Sequence, residues 1–144
     1  MAKVFFHSAD REIPIRHRTF TKTFLLDLFK IERTRLDSLS FVFCSDNYLL
    51  QINKHYLKHS YYTDVISFRL SALGVPVSGE IYLSVDRIKE NAKEYKEAYQ
   101  TELLRVLIHG ALHLCGYEDT DPHEKKQMRL KENFYLQLYS KSFT

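Results

Sequence analysis

The spacing of hydrophobic and polar residues divides the chain into short strand-like and helical stretches. Between Phe20 and Ile31 apolar residues recur every three or four positions, which predicts an amphipathic helix. The run LSFVFC is rich in β-branched and aromatic residues and predicts a strand. The same two patterns predict strands at residues 4–7, 39–44, 64–70 and 79–84, a turn at 73–78, and helices at 19–32, from a cap at 45 or 46 to about 56, 86–99, 102–115 and 122–139.

The predicted order β-α-β-α-β-β-α-α-α indicates an α/β (α+β) fold, in which helices pack on a small mixed sheet. A chain of 144 residues fits one domain with a single core. We therefore expect residues 1–144 to form one domain.

Composition and charge narrow the class of protein. The net charge is +3 without a Lys/Arg run, which permits an RNA partner but does not require one. Apolar runs are too short to span a bilayer. Cys44 and Cys115 lie far apart in apolar contexts, which is typical of buried free thiols. These features favour a cytoplasmic protein.

Two pairs of histidines have the spacing H-x3-H. On a helix, such residues share one face, so their imidazoles can reach one metal ion. His109 and His113 lie in the apolar segment LLRVLIHGALHLC, where they need either a metal or hydrogen-bonding partners, and both interpretations remain open. His55 and His59 lie at a polar helix end, and we interpret them as solvated surface residues.

Gly116 favours a metal at the second pair. A glycine just beyond a helix supports a left-handed cap that reverses the chain towards the histidines. Asp119 is then the first choice for a third ligand, with His123 as the alternative and Glu118 as the weakest candidate. Gly110 occupies the position where metalloproteases of the H-E-x-x-H type carry their glutamate, which disfavours a protease.

Four motifs in order resemble the YbeY family, bacterial rRNA maturation factors with endoribonuclease activity. They are the run HGALHLCGY at residues 109–117, TDVISF at 63–68, GEIYLS at 79–84, and the pair at 52–53 followed by a tyrosine at 56. Together they cover roughly residues 45 to 124. The resemblance is therefore much more specific than one histidine pair.

The resemblance implies a zinc-dependent, single-strand-specific endoribonuclease that matures the 3′ end of small-subunit rRNA and serves ribosome quality control in the cytoplasm. It implies one Zn²⁺ ion held by an H-x3-H-x5-H pattern, and as partners rRNA, the small ribosomal subunit and ribosome-assembly proteins. The fold it implies has a mixed four-stranded sheet, about five helices and a metal helix related to that of metalloproteases.

The chain departs from the family pattern at two positions. Asp119 stands where the pattern has its third histidine. Leu57 stands where the family usually carries an arginine thought to contact the phosphodiester. Lys58 or Arg69 would then supply the positive charge for substrate binding.

Two mechanisms fit such a site. A zinc-bound water attacks phosphorus, or the RNA 2′-OH attacks while zinc polarises a phosphoryl oxygen. Asp64 and Glu80 are predicted to orient histidine N–H groups, although both also suit structural roles at a turn and a strand edge. The competing functions are a zinc-containing ribosome-assembly factor with little hydrolase activity and a metal hydrolase of another substrate.

Overall fold

The computed structural model describes residues 1–143, and their elements follow the predicted order. The four strands and five helices are β1 (Lys3–Ser8), α1 (Arg18–Ile31), β2 (Leu36–Cys44), α2 (Asp46–Leu57), β3 (Val65–Arg69), β4 (Val77–Ser84), α3 (Val85–Glu94), α4 (Tyr99–Leu114) and α5 (Pro122–Phe143). The predicted α+β class is confirmed. Among the described residues, no helix combines the length and the apolar character needed to cross a bilayer.

One mixed sheet organises the molecule, with the strand order β1-β2-β4-β3. β1 pairs with β2 and β2 with β4 in parallel, whereas β3 pairs with β4 in antiparallel fashion. Parallel neighbours require a crossover connection, and α1 provides it between β1 and β2. The antiparallel edge strand β3 lies directly after the loop at the end of α2, which brings that loop to one end of the sheet.

Helix α4 packs on the sheet through a nearly continuous apolar surface. Leu107, Ile108, Ala111 and Leu112 are all 1% exposed or less. Gly110 permits the close approach, because an added Cβ would lie 2.9 Å from Cγ2 of Ile81 on β4. The glycine therefore has a packing role at the position where a protease carries its glutamate.

The predicted helix at residues 86–99 was too long. Helix α3 ends at Glu94, and Lys96 adopts a left-handed φ of 54° before α4 begins at Tyr99. The amides of Lys96 and Glu97 donate to the carbonyls of Lys93 and Ala92, which is the hydrogen-bond pattern of a glycine cap. Because the left-handed residue is a lysine, the sequence carries no glycine to mark this end.

Two strands begin earlier than predicted. β2 starts at Leu36 and β4 at Val77, and these two residues are paired in the sheet. The polar residues Asp37, Ser38 and Ser78 dilute the apolar signal there, so the sequence identified only the buried parts of both strands. The predicted turn at residues 73–78 is correspondingly shorter.

Candidate metal centre

Helix α4 presents His109 and His113 side by side near its carboxyl end. Their Nε2 atoms lie 3.0 Å apart, and their ring centroids are 4.6 Å apart with the planes nearly perpendicular. Both side chains are about one-fifth to one-quarter exposed, at 21% and 24%. The two imidazoles therefore converge on one point at the edge of the buried helix face.

The chain reversal predicted at Gly116 is present and has a defined geometry. Gly116 has a φ of 104°, and its amide donates to the carbonyl of His113. The amide of Tyr117 donates to the carbonyl of Leu112, which completes a Schellman cap. The residues beyond the helix therefore run back along the face that carries the histidines.

Asp119 reaches the histidines as a result of this reversal. Its Oδ2 atom lies 3.3 Å from Nε2 of His109 and 3.4 Å from Nε2 of His113. The three ligand atoms all lie within 4.8 Å of one another. In a tetrahedral zinc site, with bonds of about 2.0–2.1 Å, geometry places ligand atoms about 3.3–3.4 Å apart. The observed separations match the edges of such a site.

The hydrogen bonds of the two histidines determine which ring nitrogen carries the proton. His109 Nδ1 lies 2.7 Å from a carboxylate oxygen of Glu132, and His113 Nδ1 lies 2.8 Å from the carbonyl oxygen of Tyr117. A carboxylate and a carbonyl only accept, so we assign the proton of each ring to Nδ1. The lone pairs of both Nε2 atoms then face the carboxylate of Asp119, an arrangement that a divalent cation satisfies.

The acidic surroundings of His109 also favour a positive charge at this point. Burial alone would lower the pKa of His109, but the hydrogen bond and charge of Glu132, together with Asp119 and Asp64, raise it. Glu132 is itself 6% exposed and accepts a hydrogen bond from Arg105 at 3.0 Å. Burial tends to raise the pKa of Glu132, yet His109 and Arg105 hold it below its usual value.

Glu132 was not among the residues predicted from the sequence. It lies on α5, between the buried residues Met128 and Tyr135 of the same helix. A charged residue on the apolar stripe of an otherwise surface helix was the only signal that the sequence offered.

A cleft of about 630 Å³ opens beside the ligand group. It contains His109, His113 and Asp119 in its wall, so the centre is accessible from this side. The other lining residues are Asn53, Leu57, His59, Tyr61, Thr63, Asp64, Val65, Ile66, Ser67, Arg69, Leu114 and Glu118. The open side of the three-ligand group is the feature expected of a catalytic rather than a purely structural site.

Comparison with known proteins decides the family. The family model described as Endoribonuclease YbeY matches residues 5–140. The chain belongs to the YbeY endoribonuclease family. It is 42% identical over 135 residues to Endoribonuclease YbeY of Cytophaga hutchinsonii, and the match covers 94% of each chain. The corresponding protein of Flavobacterium psychrophilum is 41% identical over 128 residues, covering 89% of this chain and 91% of the relative.

The fold agrees with this assignment. The solution structure of a Thermotoga maritima protein superposes with a TM-score of 0.62 at 25% sequence identity. The superposition covers 99% of this chain and 91% of the other. The YbeY family consists of endoribonucleases, so this chain is a nuclease by family.

Of the two acids predicted to orient the histidines, the structure brings only Asp64 to the YbeY site. Asp64 lines the cleft, and burial raises its pKa, although the charge of His109 opposes this. Its Oδ2 accepts a hydrogen bond from Asn91 at 3.4 Å. Glu80 alternates with Gly79 and Ile81, which face α4, so it lies on the opposite face of the sheet and accepts from Tyr82 at 3.2 Å. The residue that binds a histidine N–H is Glu132 instead.

The other predicted residues lie around the cleft or outside it. Arg69 lines the cleft, but its Nε and Nη2 atoms donate to backbone carbonyls of the β3–β4 loop. Lys58 ends α2 with a φ of 60° and is not part of the cleft wall. Glu118 lies in that wall without joining the ligand group, and His123 is exposed in the first turn of α5, outside the group.

A second network holds the segment between the ligands in place. The hydroxyl of Tyr117 donates to Glu32 Oε1 at 2.7 Å, while Lys131 and the hydroxyl of Tyr135 donate to Glu32 Oε2. Burial raises the pKa of Glu32, but the hydrogen bonds from Tyr135, Tyr117 and Lys131 outweigh it and lower the pKa. The carbonyl of Tyr117 also accepts from His113, so the network that holds Tyr117 in place helps to orient the His113 ring.

Proposed function

We propose that this protein is a zinc-dependent, single-strand-specific endoribonuclease that processes the 3′ end of small-subunit rRNA and acts in ribosome quality control. Membership of the YbeY family supports the endoribonuclease activity. The proposal adds the metal, the RNA substrate and the cellular setting. Its partners are rRNA, the small ribosomal subunit and ribosome-assembly proteins in the cytoplasm.

The convergence of three acceptor atoms carries this proposal. Nε2 of His109, Nε2 of His113 and Oδ2 of Asp119 lie 3.0–3.4 Å from one another, and the tautomers assigned to the two histidines leave a lone pair on each Nε2. Two imidazoles and one carboxylate form a ligand set that zinc accepts, and the separations fit tetrahedral geometry. Zinc therefore suits this group better than Mg²⁺ or Ca²⁺, which prefer oxygen ligands.

The chain's own residues prepare the site for phosphodiester cleavage. His109, His113 and Asp119 would hold the ion, while Glu132 and the carbonyl of Tyr117 keep the imidazoles in the ligating tautomer. When bound, zinc supplies Lewis acidity, either to a coordinated water or to a phosphoryl oxygen. The cleft keeps one side of the ligand group open to a strand of RNA.

Cleavage of precursor RNA tests the proposal. The purified protein is incubated with a small-subunit rRNA precursor that carries its single-stranded 3′ extension, and with the same extension annealed to a complementary strand. We expect cleavage of the single strand only, and loss of cleavage in the His109→Ala/His113→Ala variant. Equal cleavage by variant and wild type would assign the activity to a contaminant or another site.

The chemistry of the product ends separates the two mechanisms. Attack by hydroxide that breaks the P–O3′ bond leaves a 3′-OH and a 5′-phosphate, whereas attack by the RNA 2′-OH breaks the P–O5′ bond and leaves a 2′,3′-cyclic phosphate and a 5′-OH. End-specific ligation and sequencing of the products reads out this difference. A cyclic phosphate would exclude the hydroxide mechanism.

The leucine at position 57 favours a second candidate function, in which the protein binds RNA but hydrolyses it little. An aliphatic side chain lines the cleft where the family pattern implies an arginine, and Arg69 uses its Nε and Nη2 atoms on backbone carbonyls. The candidate is a zinc-containing ribosome-assembly factor that binds rRNA with little hydrolysis. Such a protein would shift the precursor RNA in a native gel and would leave it uncut in the cleavage assay.

A further inference from the structure

The loop between α2 and β3 places two stacked rings in the wall of the metal cleft. His59 and Tyr61 both line the cleft that contains His109, His113 and Asp119. Their ring centroids lie 5.0 Å apart with an interplanar angle of 19°, and the Tyr61 hydroxyl lies 3.0 Å from Nδ1 of His59. We call these two residues the aromatic platform.

A buried side chain holds the aromatic platform in position. Asn53 on α2 is 1% exposed, and its Nδ2 donates to the carbonyl of Tyr61 at 2.8 Å. The amide of His59 donates to the carbonyl of Asn53 at 3.1 Å, so the same residue ties both ends of the loop. The left-handed conformation of Lys58 turns the chain between them. The rings are therefore pre-organised by the fold, which reduces the entropic cost of binding a ligand to them.

The Tyr61 side chain is largely exposed rather than packed in the protein interior. The residue is 58% exposed, although it belongs to a loop anchored by a buried asparagine. Neighbouring Tyr62 is also 52% exposed, but its ring faces the guanidinium of Arg87 at 5.2 Å. Tyr61 thus presents ring surface beside the metal ligands, while Tyr62 is engaged elsewhere.

We propose that the aromatic platform stacks on a base of single-stranded RNA next to the phosphodiester that lies at the metal centre. This inference rests on the proposed function. Proteins recognise single-stranded RNA largely by stacking its unpaired bases on aromatic side chains, which paired bases in a duplex cannot reach. The platform therefore supplies a physical reason for a single-strand preference. Lys54 in the last turn of α2 and Lys58 at its carboxyl end carry positive charge beside the platform, which favours a polyanion over a neutral or cationic ligand.

Fluorescence of a base analogue tests the aromatic platform directly. The probe is a short single-stranded RNA that carries 2-aminopurine, titrated with zinc-loaded protein, since stacking on tyrosine quenches this base. The loss of one stacked base lowers affinity about 5- to 150-fold. We expect this loss for Tyr61→Leu, together with loss of the quench, whereas Tyr61→Phe retains both. Tyr62→Leu is the matched control, because it removes an equally exposed tyrosine whose ring faces Arg87.

Single-turnover cleavage of the same RNA gives a second readout. Tyr61→Leu should raise the half-saturating protein concentration more than it lowers the maximal rate, because the platform binds a base and does not touch the cleaved bond. His59→Ala provides an independent variant in case Tyr61→Leu fails to fold, and it should show the same pattern. A variant counts as folded if its zinc content and melting temperature match those of the wild type.

The outcomes separate the platform from the nuclease function. If wild type cleaves the RNA and Tyr61→Leu binds and cleaves within about twofold of it, the platform is wrong and the function stands. If wild type quenches 2-aminopurine through Tyr61 but never cleaves, the platform stands and the nuclease proposal falls. Equal losses in Tyr61→Leu and Tyr62→Leu would indicate a general surface effect and overturn the platform.

Discussion

The chain contains two histidine pairs with the same H-x3-H spacing, and they have opposite environments. Helix α4 continues through His113 and holds both rings against one point, with Asp119 as a third group. Helix α2 ends at Leu57, so His59 leaves the helical path and stacks on Tyr61 instead. Spacing therefore predicts a metal site only where the helix extends beyond the second histidine.

The two pairs also differ in the chain segments that come after them. After His113, the Gly116 cap returns the chain to the histidines and brings a carboxylate. After His59, the chain proceeds along the cleft towards β3 and brings aromatic rings. The first pair belongs to a group of three residues with the geometry to hold a metal ion, and we infer that the second pair contributes a ring to RNA binding.

Removing each pair should have different effects on zinc, and this is the largest effect that we expect. The His109→Ala/His113→Ala variant should lose its zinc, because one carboxylate cannot retain the ion alone. His55→Ala/His59→Ala should keep about one equivalent per chain, as expected for a single three-ligand site. Elemental analysis after gel filtration measures both. Zinc loss from His55→Ala/His59→Ala would mean that the H-x3-H spacing alone predicts a metal site, whatever the helical context.

Asp119 and His123 provide the next test, because sequence left both open as the third ligand. Asp119→Ala should weaken zinc binding by more than about 100-fold, since losing a residue that only orients a ligand already costs about 10- to 100-fold. His123→Ala should leave the affinity unchanged, because His123 is exposed and outside the ligand group. Competition with a chromogenic chelator gives both affinities, and reversed effects would move the third ligand onto α5.

The sequence predicted much of this site because its signals are local. The histidine pair, the glycine cap and Asp119 lie within eleven consecutive residues, 109–119, where helical geometry relates them directly. Glu132 is remote in sequence and reaches His109 only because α5 packs against α4. Glu80 was predicted to orient a histidine but lies on the opposite face of the sheet, because alternation along a strand does not reveal which face a helix will cover.

Helix α4 also carries Glu102, a buried polar residue that lacks a full set of hydrogen-bond partners among the described residues. It is 4% exposed, and its Oε1 has no hydrogen-bond partner among the described residues. Burial, assisted by the charge of Asp64, raises the pKa of Glu102 to about 7. The folded state therefore binds the proton more tightly than the unfolded state, so stability falls as pH rises from the unfolded pKa, near 4.5, to about 7.

Replacing Glu102 should remove this loss. Between pH 4 and pH 8, Glu102→Gln should gain roughly 3 kcal/mol of unfolding free energy relative to wild type, from a pKa difference of about 2.5. Urea denaturation at both pH values measures the difference. Glu90→Gln is the control, since Glu90 is a largely exposed glutamate on α3 whose replacement should show no such dependence. A gain independent of pH would show that Glu102 is not the titrating group.

Glu132 gives the smallest expected effect and defines what distinguishes the two pairs. Its carboxylate accepts the Nδ1 proton of His109 and thereby leaves Nε2 free to bind metal. Glu132→Gln replaces one of the two acceptor oxygens with an NH2 group and removes the negative charge. The side chain can then no longer accept hydrogen bonds from both His109 and Arg105 as the carboxylate does. Zinc affinity should therefore fall about 10- to 100-fold. Chelator competition measures it under conditions where circular dichroism shows the variant to be folded, with Glu90→Gln as the matched control.

The size of this loss is informative in both directions. An affinity within about threefold of wild type would mean that helix geometry alone orients His109, so that the buried carboxylate serves only the packing of α5 on α4 through Arg105. A loss as large as that of Asp119→Ala would make Glu132 as important as a ligand. The intermediate value that we expect assigns the ligating role to the local sequence of α4 and its cap. It assigns the orienting role to a tertiary contact between α5 and α4.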